Sequence, residues 1–125
     1  MTRRMAIGGL DFEALRRAVE RCDPDLLLGF YAEGAELSIT NAGAPTVAFR
    51  GRAEIAKHLR AVFGQEASHR VEREAAVGED RVTFQEACEY PDGGRVWVET
   101  TLEVHGGKIV RQVDVVTMDK QADRQ

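Results

Sequence analysis

The chain has 125 residues, 43% of them hydrophobic and 30% charged, with a net charge of −4. That length suits one domain with one core, and 17 basic side chains interleaved among 21 acidic ones leave no stripe for nucleic acid or an anionic membrane. No run reaches the roughly 18 apolar residues of a membrane helix, and residues 7–10 behind the basic "TRRM" are too short a run for a secretory signal. Cys22 and Cys88 share no ligand spacing, so both are expected as reduced, buried thiols of a cytoplasmic protein.

Residues 1–10 are expected to be a flexible segment. From Asp11 the pattern turns helical, with Phe12, Leu15, Ala18, Val19 and Cys22 on one stripe. "CDPD" restarts a helix, because Asp23 can cap free amides and Pro24 suits the first helical position. Leu26, Leu27, Phe30 and Tyr31 form its apolar side, and Gly34 is expected to end it. A strand over 35–40, a loop and a short strand over 46–50 follow. Gly51 opens a third helix reaching Gly64, with Ile55, Leu59, Val62 and Phe63 inward. Four strand-like runs come next, at 68–77, 81–90, 95–104 and 109–118, separated by "GED", "PDGG" and "HGGK". Such tight turns predict an antiparallel meander. Helices followed by an antiparallel sheet predict one α+β domain over 11–119, with a flexible tail at 120–125.

Three passages carry a family resemblance: "CDPDLLLGFYAEGAEL", "FRGRAEIAKHL" and "GGKIVRQVDVVTMD". Each resembles a structural motif of the nuclear transport factor 2-like superfamily, in its SnoaL-like polyketide cyclase and ketosteroid isomerase branch. The resemblance implies a cone, a cystatin-like α+β roll in which three helices pack in a strongly curved, mostly antiparallel sheet. It implies a pocket at the open end. On the last strand it places Gln112, Asp114 and Val116 on the pocket face. Strand alternation carried back through the turns adds Thr100 and Leu102, then Phe84, Glu86 and Cys88. A one-residue bulge would exchange these faces.

Helical spacing independently puts His58 in the apolar stripe with Leu59 and Val62 nearby, and Tyr31 on the apolar side of the second helix. Asp114, His58 and Tyr31 are therefore the expected catalytic residues, and the other pocket residues the expected substrate contacts. Buried carboxylates must pair or take up a proton, which prepares an acid or base. Asp114 looks like the acid/base Asp of SnoaL-like cyclases. The steroid-isomerase residues are missing: Ile39, Leu15, and Thr100 or Thr101 stand at their approximate places. His69 and His105 read as solvated surface. No metal or other cofactor is expected, since the three histidines share no ligand spacing.

These residues predict proton-transfer chemistry on a small, largely apolar carbonyl compound or epoxide: a cyclase, isomerase or epoxide hydrolase. A non-catalytic ligand-binding module and an interaction protein using the convex sheet face remain open alternatives. That face should carry Trp97, Thr101, Val113 and Val115 among Glu99, Glu103 and Arg111. It predicts a two-fold homodimer in which Arg111 meets Glu99 or Glu103 within or across the interface.

Overall fold

A hairpin opens the fold. In the computed structural model, which describes residues 6–118, β1 (Ala6–Ile7) pairs antiparallel with β2 (Leu10–Asp11). Gly8 and Gly9 between them have φ of 55° and 89°, as a two-residue primed turn requires. Ile7 and Leu10 are buried core residues. The segment expected to be flexible is thus structured from Ala6 onward, while residues 1–5 and the expected tail at 120–125 lie outside the described residues.

Asp11 caps α1 (Phe12–Glu20), its Oδ1 accepting the Ala14 N–H at 3.2 Å. Phe12, Leu15, Ala18 and Val19 are buried, as the spacing predicts. Asp23 likewise caps α2 (Pro24–Leu28) through the Leu26 N–H. This helix is shorter than expected: it ends at Gly29, and Tyr31 begins β3 (Tyr31–Asn41) instead of closing a helical face. The reason is tertiary. Lys108 Nζ donates to the Gly29 carbonyl at 2.7 Å, Arg52 to that of Leu28 at 3.2 Å, and the Ile109 N–H to that of Phe30 at 2.8 Å. Distant donors satisfy the last carbonyls, so the chain passes into the sheet. After β4 (Val47–Arg50), α3 (Gly51–Phe63) runs to Gly64 and buries Ile55, Ala56 and Leu59.

The expected meander follows as β5 (Ser68–Ala76), β6 (Arg81–Glu89), β7 (Arg95–His105) and β8 (Lys108–Met118). The order in the six-stranded sheet is β4-β3-β8-β7-β6-β5, and only the β3–β8 pair is parallel. The fold is the expected α+β arrangement, with a curved, unclosed sheet. Register on β7 and β8 shifts once, where Val110 is an extra residue between Arg111, paired with Glu103, and Ile109, paired with Val104. Ile109 therefore points inward and is fully buried while Val110 is exposed. From Gln112 onward the expected faces hold.

On the convex face Trp97, Thr101 and Val113 are half-buried, and Val115 is 41% exposed. Arg111 stands opposite Glu103, but Glu103 accepts from Arg81 at 2.8 Å. Of the two partners expected for Arg111, Glu103 is thus engaged within the chain by Arg81 of β6.

Candidate functional site

Helices α1 and α3 close over the inward sheet face around a cavity of about 290 Å³, at the lower end of the range for small-molecule sites. Of the residues expected there, Tyr31, His58, Leu59, Val62, Phe84, Glu86, Cys88, Leu102, Gln112, Asp114 and Val116 line it. Thr100 does not; it is buried behind Asp114, its direct partner across β7 and β8. Leu15 and Val19 of α1 and Val96 and Val98 of β7 also form walls. The two valines share a strand face with Leu102, so continued alternation was a signal for them.

Asp114 stands at the centre of the polar groups. Thr100 Oγ1 and Gln112 Nε2 each donate to its Oδ1 at 3.0 Å. Tyr31 OH donates in turn to Gln112 Oε1, which fixes the amide's orientation. Both of these bonds fall on Oδ1, and among the described residues no hydrogen bond to Asp114 Oδ2 is seen. Burial pushes the Asp114 carboxyl up; the Gln112 bond works against the rise, the Glu86 charge adds to it, and the Thr100 bond opposes it. The balance lies at about 7. Tyr31 is also raised, by burial first and then by Asp114 and Glu86, so its phenol keeps its proton.

His58 reaches the cavity but is not joined to a carboxylate by a hydrogen bond among the described residues. Its ring stacks on Phe49 with centroids 4.6 Å apart. Burial lowers its pKa, opposed in part by Glu86. The sign is that of a group protonated more readily when unfolded, so its burial costs stability as pH falls below about 6.5. An NMR titration should place the His58 midpoint below that value. A midpoint above it would mean a carboxylate partner.

The histidine that meets a carboxylate is His69. Far from solvated, His69 is 3% exposed, its ring tilted against Phe63 at 4.6 Å. His69 Nδ1 lies 2.6 Å from Glu86 Oε2, and Cys88 Sγ lies 3.3 Å from the same nitrogen. Its Nε2 is buried without a hydrogen-bond partner among the described residues. The signal for this was present: His69 and Val71 alternate with charged neighbours, which puts both on the inward face of β5. Burial, and next the Glu86 charge, push the Cys88 thiol up to about 12. His105 is exposed, as expected.

Comparison with known proteins gives a consistent fold. The SnoaL-like domain model matches residues 12–112. An NTF2-like protein of unknown function from Mesorhizobium loti superposes with a TM-score of 0.74 at 23% identity, covering 85% of this chain and 87% of that one. A candidate ketosteroid isomerase from Kribbella flavida superposes at 0.70 and 15% identity, over 85% of this chain and 74% of its own. The epoxide hydrolase/cyclase-like enzyme SalBIII of pyran ring formation in salinomycin gives 0.64 and 19%, over 85% and 87%. At these identities the likeness is one of fold. No curated protein is significantly similar in sequence.

Proposed function

This chain belongs to the SnoaL-like domain family, and from that premise we propose that it catalyses proton transfer on a small, largely apolar carbonyl compound or epoxide. Asp114 carries the reading: a carboxyl in a largely apolar cavity, its pKa drawn to about 7, with two donors on Oδ1 and none seen on Oδ2 among the described residues. Near neutral pH such a group is populated both as acid and as base.

With a carbonyl substrate, Asp114 Oδ2 takes the proton from the adjacent carbon, and the electron pair moves onto the carbonyl oxygen. A neutral His58 N–H is the group suited to stabilise that enolate. Return of the proton at another carbon isomerises the substrate; attack of the enolate carbon on a second carbonyl closes a ring, and the new alkoxide takes the proton back from Asp114. With an epoxide, protonated Asp114 gives its proton to the ring oxygen as the C–O bond breaks under attack by water or an internal hydroxyl, and the resulting Asp114 carboxylate takes the proton that the attacking oxygen sheds. These proton transfers require no cofactor. Tyr31 has its proton committed to Gln112 and so acts as a positioning residue for Asp114.

Ile39, Leu15 and Thr100 or Thr101 stand at the approximate places of the steroid-isomerase residues, which favours ring closure or epoxide chemistry over steroid isomerisation. A panel of small epoxides, cyclic enones and polyketone esters tests the reading. Ring-opened, ring-closed or isomerised product is expected. Saturable binding of the same compounds without product would favour the ligand-binding alternative.

We also propose a two-fold dimer through the convex face, supported by the exposed Val115 beside half-buried Trp97 and Val113. Apolar surface left in water costs about 25 cal/mol per Å², and a second copy is the simplest cover. Val113→Glu should sediment as a monomer of reduced stability. A wild-type protein that is monomeric at micromolar concentration would sink the dimer.

A further inference from the structure

We propose that His69, Glu86 and Cys88 form a binding site for a zinc-type transition-metal ion, with a fourth coordination position open to the cavity.

The site follows from register. His69 on β5 pairs directly with Cys88 on β6, and Val71 with Glu86, so His69, Cys88 and Glu86 occupy adjacent places on one face of the ladder. Their donor atoms converge, each within 4.8 Å of the others. The separations are 2.6 Å from Nδ1 to Oε2, 3.3 Å from Nδ1 to Sγ and 3.7 Å from Sγ to Oε2. Around a tetrahedral ion with bonds of about 2.0 Å to N and O and about 2.3 Å to S, donors stand about 3.3–3.6 Å apart. The two separations to sulfur, 3.3 and 3.7 Å, each lie within about 0.2 Å of the roughly 3.5 Å this geometry sets for sulfur. Only the His69–Glu86 contact must open, by about 0.7 Å on the same geometry, a change within reach of a carboxylate rotation.

Hydrogen bonding holds this cluster unevenly. Nδ1 can give its single proton to Glu86 Oε2 at 2.6 Å, which leaves the Cys88 thiol a long bond of 3.7 Å to the same oxygen. A cation at the centre engages all three donors at once. One carboxylate, one thiolate and a neutral imidazole balance a divalent charge, which makes the buried cluster neutral. Binding transfers the Cys88 thiol proton to solvent as the sulfur–metal bond forms. Imidazole with thiolate selects zinc-type ions, whereas magnesium and calcium require oxygen ligands.

The open position comes from the cavity, since Glu86 and Cys88 both line it. Three protein ligands and one free position suit an ion that takes water or a ligand oxygen. With the ion on Nδ1 the ring proton sits on Nε2, which has no acceptor among the described residues. Missing support of that kind weakens metal affinity by about 10–100-fold, so modest affinity is expected. The site shares the cavity with Asp114 but none of its hydrogen-bond partners, since Asp114 lies on β8 and is not among these ligands.

Cobalt titration of the reduced, chelator-treated full chain tests the site without reference to turnover. The wild type should take up one Co²⁺ with tetrahedral visible bands and a thiolate-to-cobalt band in the near ultraviolet, all removed by Zn²⁺. Cys88→Ser should lose the near-ultraviolet band, and His69→Gln should bind at least about tenfold more weakly, the scale of losing metal-site support. Cys22→Ser should behave as wild type, since the Cys22 sulfur donates instead to the Ala67 carbonyl. Absence of the thiolate band in folded wild-type protein would overturn the proposal. So would a band that survives Cys88→Ser and vanishes in Cys22→Ser. Should the Cys88 and His69 variants fail to fold, the wild type and Cys22→Ser decide between these outcomes.

Discussion

Asp114→Asn is expected to abolish turnover while making the folded protein more stable above neutral pH. The loss should be about 10²–10⁴-fold, the range for a positioned acid or base. In the wild type, kcat/KM for carbonyl substrates should rise with pH through about 7 as the carboxyl ionises. The stability effect has the opposite sense because this carboxyl is raised by folding. Below pH 4 it is protonated in both states and costs nothing. Between about 4 and about 7 the unfolded chain ionises first, so stability is lost as pH rises through the folded value. Above it the full penalty applies, at most about 4 kcal/mol for a shift of some three pH units at 1.36 kcal/mol each. Asparagine keeps an Oδ1 acceptor for Thr100 and Gln112 and carries no charge to desolvate. Urea unfolding should find the variant equal to wild type at pH 4 and more stable at pH 8. Unchanged activity together with unchanged stability at both pH values would remove Asp114 from the chemistry.

The largest structural loss should follow Phe12→Ala. Phe12 is 1% exposed and packs edge-on against Phe84, with centroids 5.5 Å apart at 65°. It sits one residue after the cap of α1, so it ties that helix to the inner face of β6. Truncating a buried phenylalanine costs about 3–5 kcal/mol, against a total of about 5–15 for a domain of this kind. The midpoint of urea unfolding at pH 7 should fall accordingly, with its slope unchanged. Leu15 and Val19, which form a cavity wall from the same helix, would lose their support, so ligand binding should weaken as well. A cost under about 1 kcal/mol would mean that neighbours close the space and that the ring does not anchor the helix.

What the sequence by itself determined was everything that depends on neighbours a few residues apart. The cap at Asp23, the start of α1 near Asp11 and its stripe, the limits of α3 and the turns between the last four strands were all legible. The family resemblance put Asp114 on the pocket face, and alternation carried Glu86 and Cys88 to the same cavity, because successive side chains on a strand point to opposite faces. The tertiary structure decided what depends on partners far along the chain. The helix expected to reach Gly34 stops at Gly29 because Lys108, Ile109 and Arg52 supply its donors. The carboxylate partner is His69 and not His58, because β5 and β6 pair His69 with Cys88 and bring Glu86 diagonally across. Which histidine meets a carboxylate is a matter of cross-strand register, and register is set by the whole sheet closing around its core.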